Sequence, residues 1–280
     1  MPSCRVGLLF HPTQSESRAL ADEIERTLGQ SQVQVVSGDF DSQDEIIDRF
    51  PGLDMIITLG GDGTILHTAR VAAPHGIPVL GVNLGRLGFL AEMQPSEVID
   101  QIPKLCNREY WLEDRLMLHA EHRRDGALLG HYEALNDIFV GRGRTARVVR
   151  VTVSVDGARI TTYVADGIIA ATPTGSTAYS LAAGGPVAAP GIENIVLTPI
   201  APHLTPARSL VLPAHCQIDV SISTKHDGIM TVDGQIDVAL ENDDTVTIRK
   251  SANSARFVRL GSPNYFYETL IQRLNRRTDD

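Results

Sequence analysis

From Arg5 to about residue 95 the chain alternates short apolar runs with stretches of helical period. From about residue 108 it changes to two-residue alternation. That switch confines the fold: strand–helix alternation requires a parallel sheet covered by helices, and period-two runs closed by turns require antiparallel β. Strands are expected at "RVGLLF" (Arg5–Phe10), "VQVV" (Val33–Val36), "MIITL" from Met55 and "PVLGV" (Pro78–Val82). Between them, Thr13 and Glu16 have capping-box spacing ahead of Leu20, Ile24 and Leu28. Ser42 and Glu45 repeat the signal ahead of Ile46, Ile47 and Phe50. "TILHTARVAA" reads as a helix closed by Pro74, and another is expected at Glu97–Cys106.

In the middle of the chain Val149, Val151, Val153 and Val155 share one face and end in Asp156-Gly157, a two-residue hairpin signal. "QIDVSIS" and "TVTIR" alternate likewise, and Asp125-Gly126 and Asp227-Gly228 read as further hairpin tips. The tail, "SPNYFYETLIQRLNRR", is helical in pattern and is expected to pack back onto the first domain.

A formal charge of −9 disfavours nucleic acid and anionic membranes as partners, so an anionic ligand needs a local pocket. Three cysteines without a CxxC pair point to reduced thiols. The start has no signal-peptide pattern, and no uncharged apolar run approaches the ~18–20 residues of a membrane span. A soluble, cytoplasmic protein is the expectation.

Chemistry is expected in the glycine-rich stretches, because no GxxxxGK[ST], no GxGxxG after the first strand and no HExxH is present. Gly60-Gly61-Asp62-Gly63-Thr64 lies between a strand and a helix, where α/β folds place ligands. Glycines admit a phosphate close to the backbone, and a helix N-terminus offers free N–H groups. An acid there has two fitting roles: taking a proton from a substrate hydroxyl, or holding a divalent cation. The plainer role is a turn carboxylate capping the helix at Thr64. "ADGIIAATPTGSTAYSLAAGGP" (Ala165–Pro186) opens with Asp166 and is poor in charge. Its small residues suit a ring or ribose against the backbone, with Thr174, Ser176, Thr177 and Ser180 as hydrogen-bond partners and Tyr179 able to stack. Close packing of a strand–turn–helix explains the same composition. Asn136-Asp137 can read a base edge, or simply make a turn.

Together "GGDGTIL", "NLGRLGFLAE", "ALND", "ADGIIAATPTGSTAYSLAAGGP" and "TVDGQ" resemble the NAD kinase family in order and spacing over nearly the whole chain. GGDG alone is shared with related lipid kinases, and the long TPTGSTAYSLAAGGP block makes the likeness specific. The resemblance implies a Rossmann-like parallel α/β domain at residues 1–96, completed by the tail at 257–280. It also implies a β-rich, β-sandwich NAD-binding domain at 97–256, with a site in the cleft between them. It implies transfer of the terminal phosphate of ATP, or in some members polyphosphate, to the 2′-hydroxyl of NAD's adenosine ribose, giving NADP, with Mg²⁺ or Mn²⁺. Asp62 would be the general base and Gly63 a dinucleotide contact. Asn136 and Asp137 would hold adenine or ribose, and Asp166 would meet the nicotinamide end. Thr177, Ala178, Tyr179, Ser180, Leu181 and Ala182 would wall the adenosine pocket, with Arg147, Gln235 and Thr174 as further contacts. Gly60, Gly61 and His67 would face donor phosphates. The family usually has Asn-Glu where this chain has Asn136-Asp137. Some members have a basic residue at the position of Val164, and some an Arg at that of His67. A homodimer or homotetramer is implied. The alternatives are a lipid kinase of the same GGDG superfamily and a non-catalytic dinucleotide-binding module.

Overall fold

The computed structural model describes residues 4–11, 13–39, 52–85, 88–143, 148–203 and 207–275. The helix expected after Ser42 and the expected contact Arg147 lie outside the described residues. In chain order the strands are β1 (Arg5–Phe10), β2 (Gln34–Asp39), β3 (Met55–Gly60), β4 (Val79–Asn83), β5 (Trp111–Arg124), β6 (Ala127–Ala134), β7 (Asp137–Arg142) and β8 (Val149–Val155). There follow β9 (Ala158–Ala165), β10 (Gly167–Ala171), β11 (Asn194–Ile200), β12 (Leu210–Pro213), β13 (Ile218–Ser223), β14 (Gly228–Val232), β15 (Ile236–Leu240) and β16 (Thr245–Arg259). The helices are α1 (Ser15–Gln30), α2 (Asp62–Ala72), α3 (Pro95–Cys106), the single turn α4 (Tyr179–Ala182) and α5 (Tyr265–Asn275).

Two compact units result, one of Met1–Asp114 with Ser254–Asp280, the other of Arg115–Asn253. The first unit therefore extends beyond the residue 96 expected from sequence, because α3 buries Val98, Ile102 and Leu105 in its core. That unit is a parallel sheet in the order β2-β1-β3-β4-β16, with Phe257 of β16 beside Val79 of β4. Ala21, Ile24 and Leu28 of α1 meet Leu8, Ile57, Leu59, Leu80 and Val82 on one face. The alternate residues Ile56 and Thr58 point the other way, where Thr58 meets Thr68 of α2 (Oγ1–Oγ1 3.3 Å). Two cap expectations change. The N-cap of α1 is Gln14, not Thr13, and makes no side-chain bond; the Ser17 hydroxyl instead accepts the His11 N–H at 3.2 Å, tying the incoming chain to the first turn. The capping box forms on α3, between Gln94 and Glu97, and Pro95 starts that helix two residues earlier than expected.

The second unit is antiparallel. One sheet runs β16-β13-β8-β9 and the other β12-β11-β10-β7-β14-β15, and a hairpin joins β5 to β6. Val149, Val151, Val153, Ile218 and Val220 share one core with Ile138, Val140, Ile168, Ile195 and Met230, which is a sandwich. Asp125-Gly126 and Asp156-Gly157 turn hairpins with positive φ at both residues, as type I′ turns need. Asp227-Gly228 is not a hairpin tip. Gly228 opens β14, which pairs with β7 and β15, whereas β13 pairs with β8 and β16, so the pair lies where the chain changes sheet. Among the described residues no helix is long and apolar enough to cross a membrane.

The second unit carries a buried charge cluster. Asp244, fully buried, accepts from Arg124 Nε and Nη2 at 2.8 and 2.9 Å and from the Glu241 N–H at 2.9 Å, and lies 2.8 Å from His122 Nε2. Burial works against its charge, but the hydrogen bonds from Arg124 and Glu241 prevail and hold the carboxyl well below the usual range. Its contribution to stability is therefore present above the unfolded-state value and lost as pH falls towards the folded one. We expect Asp244→Asn to cost about 3 kcal/mol in urea denaturation at pH 7, with the deficit shrinking as the pH is lowered below about 4.

Candidate functional site

The sheet of the first unit ends in a built carboxylate. β3 runs out at Gly60, Gly61 is the extended N-cap of α2, and Asp62 is its first residue. Asp62 does not cap the helix. Its Oδ2 accepts the Phe89 N–H at 2.9 Å and its Oδ1 accepts the Leu90 N–H at 3.3 Å. The donors lie in the segment leaving β4, the strand beside β3, and the Leu84 N–H donates to the Gly60 carbonyl at 3.3 Å. Gly88 makes the approach possible: a Cβ there would overlap the Asp62 carboxylate. Asp62 is half-buried, and Gly61 and Gly63 on either side are exposed. A carboxylate with two N–H donors keeps further lone pairs free, so it can still accept a proton. His67, a turn further along α2, has Nδ1 3.3 Å from Arg70 Nη2.

The second unit collects the remaining residues. Ala171, the last residue of β10, pairs with Asp137, the first of β7. From there the Thr172-to-Thr177 segment folds onto Asn136: the Thr172 N–H donates to the Asn136 carbonyl at 2.9 Å, and the Thr172 hydroxyl to the Leu135 carbonyl at 2.6 Å. A Cβ at Gly175 would strike the Asn136 carbonyl, which explains the glycine. The Leu135–Asp137 backbone is in turn gripped by Asp233. Its carboxylate accepts N–H groups from Leu135 (3.0 Å), Asn136 (2.7 Å) and Asp137 (3.1 Å).

The hydroxyls expected to face a ligand are engaged within the fold. Thr174 Oγ1 accepts from Arg115 Nη1 at 3.0 Å, and the Ser176 hydroxyl donates to the Pro173 carbonyl at 2.6 Å. Thr177 donates to the Thr174 carbonyl at 3.1 Å, and Ser180 lies 3.2 Å from Thr198 Oγ1. All four side chains are buried. Ala182 and Tyr179 are exposed, Ala178 and Leu181 partly so; Tyr179, at 48% exposure, has its ring 6.1 Å from that of Phe139. Asp166 pairs with Arg142 Nε at 3.0 Å, and Gln235 is exposed on the turn between β14 and β15. Among the described residues no group of three or more His, Cys, Asp or Glu comes together as a metal site.

Sequence reasoning missed several residues on which these groups depend. Gly88, Phe89 and Leu90 stand inside the quoted NLGRLGFLAE stretch, and Asp233 inside TVDGQ, so a signal was present without a role attached. Arg115 carried no local signal, because its partner Thr174 is 59 residues away.

The first unit carries a glycine-framed carboxylate at the carboxyl edge of its parallel sheet, and the second a loop of small residues. A model described as the ATP-NAD kinase N-terminal domain matches residues 6–110, and one described as the ATP-NAD kinase C-terminal domain matches 135–260. An NAD kinase from Dehalococcoides mccartyi is 38% identical over 96% of this chain and 95% of its own length. One from Heliobacterium modesticaldum is 46% identical over 79% of each. Among solved structures, yeast NADH kinase complexed with NADH matches with a TM-score of 0.85 at 27% identity, covering 96% of this chain and 87% of that one. An NAD kinase from Archaeoglobus fulgidus in complex with ATP matches at 0.76 and 27%, covering 97% and 98%. The chain belongs to the NAD kinase family and is a phosphotransferase with an alcohol acceptor. The lipid-kinase and non-catalytic alternatives are not favoured by these relatives.

The Asp62 and Asp137 carboxylates differ in surroundings. Asp137 is 5% exposed, and burial first, then the neighbouring Asp233, push its carboxyl up to about 7. The folded value lies above the unfolded one, so its contribution to stability is full below about pH 4 and lost as pH rises through about 7. Asp137→Asn is expected to gain about 4 °C more in Tm over the parent at pH 8 than at pH 5 in ligand-free melts. An equal difference at both pH values shows that Asp137 titrates normally.

Proposed function

We propose that the chain phosphorylates the 2′-hydroxyl of the adenosine ribose of NAD, with ATP as donor and Asp62 as general base. The observation that carries this reading is the Asp62 carboxylate, fixed by two backbone N–H groups and framed by glycine rather than by side chains. In the step itself the ribose hydroxyl gives its proton to Asp62 as its oxygen bonds the γ-phosphorus. The bond from that phosphorus to the β,γ-bridging oxygen breaks, and ADP leaves. Protein contributes mainly alignment and charge stabilisation to such transfers, and a positioned base adds ~10²–10⁴-fold.

Gly60 and Gly61, with the N-terminus of α2 and His67, would face the donor phosphates. Gly63, Asn136, Asp137, Asp166, Arg147 and Gln235 would contact the dinucleotide. Residues from Thr174 to Ala182 would act chiefly as wall, since the Thr174, Thr177 and Ser180 hydroxyls are paired internally. Mg²⁺ or Mn²⁺ would arrive bound to the ATP phosphates, and its chemistry there is to neutralise their charge. The likeness to the yeast complex with NADH and the archaeal complex with ATP supports dinucleotide and ATP binding. A cytoplasmic homodimer or homotetramer completes the proposal.

The test is Asp62→Asn assayed for NADP formation with ATP and Mg²⁺, with NAD affinity measured by calorimetry. Affinity is expected to stay within about threefold while kcat falls by ~10²-fold or more. A variant with near wild-type kcat removes Asp62 from the role of base.

A further inference from the structure

The two residues whose N–H groups hold Asp62 are each backed by an arginine. Behind Leu90 stands Arg259, whose Nη1 donates to the Leu90 carbonyl and to Glu92, both at 3.1 Å, and whose Nε donates to Glu113 at 2.8 Å. Behind Phe89 stands Arg273 of α5, its Cζ 5.8 Å from the centre of the Phe89 ring. The Tyr265 ring lies between the two guanidinium groups, 4.9 Å from Arg259 and 5.5 Å from Arg273. Phe257 closes the row, 5.1 Å from Arg259.

The two arginines differ in one respect. Arg259 reaches carboxylates through Nε and Nη1 and leaves only Nη2 buried without a hydrogen-bond partner among the described residues, whereas Arg273, only 6% exposed, leaves both Nε and Nη1 so. A residue needed only to fill that space could be Met or Leu at lower desolvation cost. Burial lowers the Arg273 pKa from its usual value, Arg259 lowers it further, and Tyr265, Asp62 and Glu92 act to raise it. Glu92 is already taken: Arg259 holds one oxygen, and the N–H groups of Leu260 and Gly261 hold the other at 2.8 and 2.9 Å. Asp62, whose hydrogen bonds among the described residues come from backbone N–H groups, is the other nearby carboxylate this cation can complement.

The geometry points to Arg273 as a positioning residue for phosphoryl transfer: a fixed cation behind Phe89 that keeps the backbone N–H groups, and with them the Asp62 carboxylate, oriented. The C-terminal helix then takes part in turnover through a residue that touches neither substrate. A preorganised charge in a site poor in water acts strongly and needs no reorganisation during the reaction.

The inference rests on the reading of Asp62 as base, and a double-mutant cycle separates the two. Arg273→Met, Arg273→Lys and Asp62→Asn, with the Asp62→Asn/Arg273→Met pair, are compared for kcat, KM and calorimetric NAD affinity. Arg273→Met is expected to lower kcat about tenfold with KM and affinity within about twofold, and Arg273→Lys to restore kcat to within about threefold. In the Asp62→Asn background, Arg273→Met should change residual turnover by less than about twofold. Unchanged kcat in Arg273→Met, an equal loss in Arg273→Lys, or an undiminished effect in the Asp62→Asn background overturns the inference. Near wild-type turnover of Asp62→Asn alone instead removes the base reading. Should Arg273→Met fail to fold, Arg273→Gln is read in the same way, and failure of both makes the cation structural and overturns the proposal.

Discussion

The Asp62 carboxylate, accepting the N–H groups of Phe89 and Leu90, is the interaction around which the first unit is arranged. It requires adjacent parallel strands, so that the segment leaving β4 passes over the turn leaving β3. It requires Gly88, since any side chain there would occupy the space of the carboxylate. Behind it, Phe89, Arg273, Tyr265, Arg259 and Phe257 alternate rings and guanidinium groups, joining α5 and β16 to the same turn. Planar guanidinium groups both stack on rings and reach carboxylates, which suits a place where backbone must be held and charge kept close.

The second unit solves a similar problem by different means. Asp233 holds the Leu135–Asp137 backbone through three N–H groups, and the Gly175 loop closes against Asn136. Buried beside Asp233, Asp137 has its ionised form disfavoured. Asp62 sits among N–H donors with an arginine near, and Asp137 sits beside another acid.

Strand and helix periodicity carried most of the fold. β1, β3, β4 and β8 lie within a residue of where alternation placed them, and α2 starts at the glycine turn. Departures came where contacts actually made in the fold differed from those the local spacing suggested. Thr13 and Glu16 had the right spacing for a cap, but Ser17 took the incoming chain. Asp227-Gly228 looked like a hairpin tip, yet the strands on its two sides pair in different sheets. The threonine and serine hydroxyls of the TPTGSTAYS stretch each make a hydrogen bond within the fold, which the sequence did not show.

By itself the sequence determined the layer architecture, the place of the glycine turn after a buried strand, and the family. Those depend on periodicity and on glycine at fixed positions, which are local properties of the chain. Only the tertiary structure decided what holds Asp62, because its donors lie 27 and 28 residues away and the arginine behind them comes from the last helix. It also decided that Asp137 would be buried beside Asp233. Burial and charge proximity arise only when distant segments meet, and no local spacing encodes them.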